Sequence, residues 1–263
     1  MSERVRVNIE GGIADVRLDR PEKLNALDSA MFEALVASGE RVAADRSVRA
    51  VVLSGEGRAF SAGLDVASFA AGGAAKDLFA RSAASPANFA QRAAWVWTEV
   101  PAPVIAAVHG VCFGGGLQIA LAADLRLVAP DARLSVMEIQ WGLVPDMSGT
   151  QTLRRLVRLD VAKELTYTGR IVSGDEAVAL GLATRAASAP REAAFALARE
   201  IAARSPSAVR AAKRLLDASG ATSVAEGLRL EEELQRTLLG APNQREAVRA
   251  NLEKRAPRFH DPE

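Results

Sequence analysis

Ala59-Phe60-Ser61-Ala62-Gly63-Leu64-Asp65 is a turn of small residues that follows an apolar, strand-like run, and Gly114-Gly115-Gly116 is a second such turn. Turns of this kind can point backbone N–H groups into a cavity instead of into a sheet. Two N–H donors aimed at one point form an oxyanion hole, which stabilises negative charge on a carbonyl oxygen. Together the two turns predict chemistry that passes through such an anion.

Strand and helix patterns alternate on both sides of these turns up to about residue 190. Residues 5–18 alternate apolar and polar side chains around Gly11-Gly12, which predicts a β-hairpin. The short runs 50–53 and 104–108 are almost purely apolar, as is typical of strands buried on both faces. Helix N-caps are expected at Asp28 or Ser29 and at Ser173.

Beyond residue 190 the pattern is almost entirely helical. We therefore expect an α/β core over residues 1–195 and a helical C-terminal region over residues 196–263.

Residues 66–88 differ from the rest of the core in composition. Alanine, glycine and serine dominate, and the segment contains Gly72-Gly73 and Pro86. Little apolar bulk is available to anchor it, so we expect this segment to be mobile. Both a flap over a site and a plain flexible insertion agree with the composition.

Composition excludes several functional classes. The 263-residue chain has a net charge of +1, so it lacks the global basic field of a nucleic-acid-binding protein. Its single cysteine, Cys112, lies in an apolar run and is predicted to be a buried, inert thiol. No signal-peptide pattern or membrane-spanning run is found. These features predict a cytoplasmic protein that binds neither nucleic acid nor membrane.

Two acids follow the second turn and are candidates for proton transfer. Glu138 comes after the predicted strand 133–136, and Asp146 follows across a loop that contains Gly142 and Pro145. Paired carboxylates in a dry site are suited to accept one proton and donate another. A solvent-exposed Glu138 and an Asp146 that caps the next helix remain the alternatives.

Other residue types give weaker signals. His109 is predicted to be a turn or core residue, and His260 lies near the C-terminus. No His/Cys/Asp cluster has the spacing of metal ligands, so no metal is expected. Ser61 and Ser148 lack a nucleophile-elbow context.

In combination these motifs resemble the crotonase superfamily, also called the enoyl-CoA hydratase/isomerase family, over essentially the whole chain. The resemblance rests on the two turns and on further segments at residues 20–27, 103–110, 123–124, 149–151, 168–170, 177 and 181–183. It implies a crotonase-like spiral of ββα units with a helical C-terminal trimerisation region. It also implies trimers, often paired into hexamers, and an acyl-CoA substrate without a separate cofactor.

The resemblance also assigns residues. The oxyanion N–H groups are expected to be those of Leu64 and Gly115. The coenzyme A groove is expected to be lined by segments that include Lys23, Leu24, Ala26, Ala62 and Asp65. Phe259 resembles an aromatic residue that closes this groove, often across a subunit boundary.

One departure from the hydratase pattern matters for the reaction. Family hydratases use two glutamates, one matching Glu138 and the other matching position 118, where this chain has Gln118. An amide cannot accept a proton, although it can hold water or substrate by hydrogen bonds, so Gln118 is expected to be a substrate-binding residue. The spacing of Glu138 and Asp146 resembles the acid pair of the dienoyl-CoA isomerases in this family, which also have an acid at position 118.

From this pattern we expect Glu138 and Asp146 to move a double bond in an unsaturated acyl-CoA by proton transfer. Hydration of a 2-enoyl-CoA is the alternative. Hydrolysis or halide displacement by an attacking Asp146, and a non-catalytic acyl-CoA-binding protein, remain further alternatives.

Overall fold

The computed structural model describes residues 4–70, 78–83 and 85–262. In these residues the strands are β1 (Val5–Glu10), β2 (Ile13–Leu18), β3 (Ala50–Gly55), β4 (Val104–Val108), β5 (Val111–Phe113), β6 (Leu125–Val128), β7 (Arg133–Ser135), β8 (Val172–Ser173) and β9 (Arg185–Ala186). The helices of the core are α1 (Ser29–Ala44), α2 (Val66–Ala70), α3 (Phe89–Glu99), α4 (Gly115–Leu121), α5 (Gly149–Leu156), α6 (Leu159–Thr168) and α7 (Gly174–Leu180). Then follow α8 (Pro190–Ala202), α9 (Pro206–Ser219), α10 (Val224–Leu238) and α11 (Pro242–Leu252), and short 3₁₀ helices span Pro21–Lys23 and Met137–Trp141.

The strands form two sheets. The larger has the order β1-β2-β3-β4-β6-β9, and the smaller has the order β5-β7-β8. In the larger sheet the predicted hairpin β1–β2 is antiparallel, and each later neighbour is parallel. The smaller sheet has a parallel pair, β5–β7, and an antiparallel pair, β7–β8.

Successive turns of the chain contribute one strand to each sheet. β4 joins the larger sheet and β5 the smaller one, and the same holds for β6 and β7. One turn earlier, β3 is followed by residues 60–61, which run beside β5 through the bridge between Ser61 and Cys112. The chain therefore climbs as a spiral, and equivalent positions in consecutive turns become neighbours in space.

The two faces of the larger sheet are covered by different parts of the chain. One face packs into the main core with α1, α3 and α4, where Phe32, Trp97 and Leu117 are almost fully buried. On the other face, Ala194, Ala198 and Ala202 of α8 pack on the sheet. This i, i+4, i+8 spacing gives α8 one narrow stripe of small side chains, which allows a close approach.

Several predicted features are confirmed. Asp28 caps α1 by accepting a hydrogen bond from the Met31 N–H at 2.8 Å. Ser173 caps α7 in the same way. Cys112 is fully buried, and this burial raises the pKa of its thiol.

As predicted, Glu138 follows a strand: it lies in the 3₁₀ helix Met137–Trp141 that comes after β7. One prediction needs correction. The predicted boundary between residues 195 and 196 falls inside α8, whose alanine stripe covers the larger sheet. α8 is therefore part of the core. A helical pattern in the sequence does not show this, because it does not say which surface the helix packs against.

The segment 66–88, predicted to be mobile, is described only in part. Residues 66–70 form α2, and Asn88 begins α3 with a capping box to Gln91. Residues 71–77 and 84 lie outside the described residues. No helix among the residues that are described is long and apolar enough to cross a membrane.

Candidate active site

The candidate active site lies where three neighbouring strand segments end. Residues 60–61 run parallel to β5, and β5 runs parallel to β7. Parallel strands have their carboxyl ends at the same edge of a sheet, where α/β proteins commonly bind ligands. Leu64, Gly115 and Glu138 follow these three segments, so the spiral brings them to one place.

Leu64 and Gly115 offer backbone N–H groups at this edge. Within the described residues, neither N–H has a hydrogen-bond acceptor. For Gly115 this follows from its place as the first residue of α4, where no intrahelical acceptor exists. A Cβ atom on Gly63 would lie 3.6 Å from the Gly115 nitrogen, which shows how closely the two turns approach.

The turn that carries Leu64 is held on both sides by backbone hydrogen bonds. Leu27 N–H donates to the Gly63 carbonyl at 2.8 Å, and Asp65 N–H donates to the Leu27 carbonyl at 3.0 Å. Gly63 has φ +82°, and a Cβ there would lie 2.7 Å from the Phe113 carbonyl oxygen. Glycine is therefore required at position 63 for both conformation and space.

Gln118 and Glu138 form a buried hydrogen bond beside these N–H groups. Gln118 Nε2 donates to Glu138 Oε1 at 2.6 Å, and Gln118 Oε1 accepts from the Met147 and Gly149 N–H groups at 2.8 Å each. Gln118 is 2% exposed. The amide predicted to contact substrate is therefore engaged mainly by the protein.

Glu138 has one oxygen without a partner. The residue is 9% exposed, and no described atom hydrogen-bonds to its Oε2. Its carboxylate lies against the glycine turn, since a Cβ on Gly114 would be 3.4 Å from Oε1. The alternative of a solvent-exposed Glu138 is wrong.

Burial changes the acidity of both predicted acids. Desolvation raises the pKa of Glu138 above its ordinary value, and the nearby charge of Asp146 adds to this effect. Asp146 is more exposed, yet desolvation of its carboxyl raises its pKa as well. Its alternative role as a cap of α5 is wrong, because Ser148 is the N-cap residue and provides no side-chain cap.

A buried network that the sequence did not single out fixes the loop at residues 20–27. Arg20 forms an ion pair with Asp65 at 2.7 Å and donates to the Ala26 carbonyl at 3.1 Å. Asn25, fully buried with φ 54°, donates to the Glu56 and Ala59 carbonyls. An asparagine between predicted turn residues was a possible signal, because asparagine tolerates a positive φ.

The residues expected to line the coenzyme A groove have different environments. Ala62 and Leu24 are half-buried, Ala26 is buried, and Lys23 is exposed. Asp65 is engaged by Arg20, whose hydrogen bond lowers the pKa of the Asp65 carboxyl. These residues lie on the loop 20–27 and on the turn that faces it, joined by the hydrogen bond from Ala62 N–H to the Leu24 carbonyl at 2.9 Å.

Phe259 is not brought to this site within its own chain. Its carbonyl accepts a hydrogen bond from Arg49 at 3.0 Å, and Arg49 directly precedes β3. Leu64 instead follows the carboxyl end of β3, so the two residues belong to opposite ends of that strand. A role for Phe259 in the groove stays a prediction that requires another subunit.

A cavity of about 750 Å³ lies elsewhere, between α3, α5, α9 and the carboxyl end of α4. The cavity is bordered by the ion pair of Asp124 and Lys213. None of the predicted site residues lines it.

His109 contacts the Gly57 carbonyl at 2.8 Å, in agreement with its predicted place in a turn.

Comparison with known proteins identifies the family of this chain. The sequence matches the family described as enoyl-CoA hydratase/isomerase over residues 8–262. The Bos taurus protein named enoyl-CoA hydratase domain-containing protein 2, mitochondrial, is 36% identical, covering 94% of this chain and 84% of its own. A Bacillus subtilis protein named probable enoyl-CoA hydratase is 35% identical, covering 89% of this chain and 90% of its own.

Solved structures give the same result. The enoyl-CoA hydratase from Bacillus anthracis has a TM-score of 0.89 to this chain at 31% identity, covering 97% of this chain and 98% of its own. A putative enoyl-CoA hydratase from Streptomyces coelicolor has a TM-score of 0.88 at 33% identity, covering 98% of this chain and 94% of its own. The predicted crotonase-like α/β fold is confirmed. The chain belongs to the enoyl-CoA hydratase/isomerase family of the crotonase superfamily.

Proposed function

We propose that this acyl-CoA enzyme hydrates a 2-enoyl-CoA thioester, with Glu138 and Asp146 as its acid–base pair. The observation that carries the proposal is the free Oε2 atom of the buried Glu138 carboxyl beside two free N–H groups. The names of the relatives favour hydration over isomerisation. The sequence pattern, with Gln118 in place of an acid, favoured isomerisation, which we keep as the second candidate.

In the proposed reaction, Glu138 Oε2 accepts a proton from water as the water oxygen attacks C3 of the enoyl group. The C2–C3 π electrons move toward the thioester, and its oxygen becomes an enolate oxygen that accepts from the Leu64 and Gly115 N–H groups. Such preorganised donors commonly contribute about 10²–10³-fold in rate. Asp146 in its protonated form donates its proton to C2, and proton exchange between the two acids restores the site.

Isomerisation uses the same groups without water. Glu138 Oε2 removes a proton from carbon, the electron pair moves into a dienolate held by the two N–H groups, and Asp146 returns a proton at a more distant carbon. The neutral Gln118 favours this candidate, because an amide cannot replace the second glutamate that family hydratases use to add water.

One experiment separates the candidates. Purified protein is incubated with 2-enoyl-, 3-enoyl- and 3,5-dienoyl-CoA in D₂O, and the products are identified by mass. A product heavier by one D₂O supports hydration. An unchanged skeleton with a moved double bond, with or without deuterium, supports isomerisation. Free coenzyme A, or binding without any product, would contradict both.

A further inference from the structure

Gln118 contacts Glu138 of the proposed acid–base pair and the loop that carries Asp146, the other member. Its Nε2 donates to Glu138 Oε1, and its Oε1 accepts from the backbone N–H groups of Met147 and Gly149, which follow Asp146. We infer that Gln118 is a positioning residue that makes Glu138 Oε2 the reacting atom and holds the loop that carries Asp146. The catalytic meaning of this inference rests on the proposed function.

The backbone fixes the orientation of the Gln118 amide. An amide oxygen only accepts and an amide nitrogen only donates. Because the Met147 and Gly149 N–H groups both point at the same atom, that atom must be the oxygen, and the nitrogen must face Glu138. The assignment of oxygen and nitrogen, which is often ambiguous for amides, is decided here by two backbone donors.

This orientation distinguishes the two oxygens of Glu138. Oε1 accepts from Gln118 and so carries no proton in this hydrogen bond. Any proton on the carboxyl is therefore on Oε2, which is buried and without a partner among the described residues. Proton transfer at Glu138 is therefore directed to Oε2.

Gln118 also holds residues 146–149 close to α4. A Cβ on Gly149 would lie 2.7 Å from Gln118 Oε1, so the absence of a side chain at position 149 permits the short contact. Met147 in turn packs on the glycine turn, since a Cβ on Gly115 would lie 2.8 Å from its sulfur. One amide thus connects the oxyanion turn, Glu138 and the Asp146 loop.

The two functions of the amide can be tested separately. Gln118→Glu keeps an oxygen that can accept from Met147 and Gly149 but places a second carboxyl at Glu138. Two carboxyls that share a site do not both ionise readily. Gln118→Met keeps the length of the side chain but removes both hydrogen-bonding functions. Gln151→Glu, an identical change at an exposed residue of α5, is the matched control.

For Gln118→Glu we expect the acid limb of the pH profile of kcat/KM to move up by about one pH unit or more. The infrared band of the protonated Glu138 carboxyl can be assigned because it is lost in Glu138→Gln. We expect the pH midpoint at which this band titrates to move up in parallel. For Gln118→Met we expect hydrogen exchange at the amides of residues 147 and 149 to be at least about tenfold faster. Gln151→Glu changes neither measurement, and Gln118→Glu changes hydrogen exchange little.

An acid limb and an infrared titration that stay unchanged in Gln118→Glu would overturn the role at Glu138. Unchanged exchange at residues 147 and 149 in Gln118→Met would overturn the role at the loop. Should one variant fail to fold, the other still tests the contact that it changes. The infrared and exchange measurements need no substrate. They can therefore support the positioning role of Gln118 even if the reaction test rejects both hydration and isomerisation.

Discussion

At the scale of the residue, Glu138 combines a buried carboxyl with a free oxygen, and its replacement tests both properties. Glu138→Gln keeps the acceptor for Gln118 but removes the base, so we expect the rate to fall by about 10²–10⁴-fold. The measurement is steady-state kinetics with the substrate identified by the mass experiment. A variant that keeps full activity would exclude Glu138 as the base.

The same variant is expected to be more stable than the parent at neutral pH. Burial raises the pKa of Glu138 above 4.5, so its contribution to stability is complete below pH 4.5 and is lost as the pH rises through the folded-state value. Glutamine has no charge to desolvate. The difference in free energy of unfolding between Glu138→Gln and wild type should therefore grow with pH from about 4.5 upward, as measured by urea unfolding. A difference independent of pH would contradict this.

Asp146 is the second residue whose replacement tests the proposed acid–base pair. We expect Asp146→Asn to lower the rate by about 10²–10⁴-fold, because asparagine cannot donate the proton that the enolate needs. Since Asp146 is more exposed than Glu138, we expect little change in stability. Full activity in Asp146→Asn would show that the second proton comes from elsewhere.

At the scale of the element, the turn at residues 59–65 works only in one backbone conformation. Gly63→Ala introduces a Cβ at φ +82° and 2.7 Å from the Phe113 carbonyl, so the turn must shift together with the Leu64 N–H. We expect kcat to fall by about 10²-fold or more, which is the usual effect of losing one oxyanion donor. The measurement is kcat and KM with the identified substrate.

Gly11→Ala provides the matched control for this substitution. Gly11 also has a positive φ, +58°, but a Cβ there meets nothing within 4 Å, and the residue lies in the β1–β2 turn. We expect Gly11→Ala to lose some stability and to keep its kcat. Equal losses of kcat in both variants would indicate a general effect of strain instead of a displaced Leu64.

At the scale of the whole molecule, α9 is joined to the core by a partly buried ion pair. Lys213 Nζ lies 2.7 Å from Asp124 Oδ2, and the two side chains are 7% and 25% exposed. Leaving a buried polar group without its partner costs about 1–3 kcal/mol. We expect a loss of this order in the free energy of unfolding for Lys213→Ala.

The control for Lys213→Ala is Arg236→Ala on α10. Arg236 also pairs with a carboxylate, that of Glu232, but both side chains are exposed. Exposed pairs of this kind contribute about 0.3–0.5 kcal/mol. Chemical unfolding measures both variants, and similar losses would contradict the importance of burial.

The C-terminal helices also carry exposed apolar side chains. Leu216 of α9, Leu228 of α10 and Leu252 of α11 are 74%, 59% and 80% exposed. Large exposed apolar side chains on neighbouring helices are typical of a surface that another subunit covers. We propose that this surface forms the trimer or hexamer implied by the resemblance.

Sedimentation equilibrium tests the assembly. Wild type is expected at three or six times the 27.7 kDa mass of the chain. Leu228→Glu places a charge within the apolar surface and is expected to shift the assembly toward the monomer. A wild-type monomer at micromolar concentration would exclude the proposed assembly, and with it a contribution of Phe259 from another subunit.

The sequence by itself determined the hairpin, the buried strands, the helix caps at Asp28 and Ser173, the two glycine-containing turns and the family. These features depend on local patterns, because apolar periodicity, capping residues and glycine act within a few positions along the chain. The tertiary structure decided what no local pattern encodes. The spiral brings Leu64, Gly115 and Glu138 to one sheet edge, and burial raises the pKa of Glu138. The Gln118 amide is engaged by Glu138 and by the backbone of residues 147 and 149. Packing against the larger sheet places α8 in the core. Each of these results depends on contacts between segments that are distant in sequence, and such contacts exist only after the chain has folded.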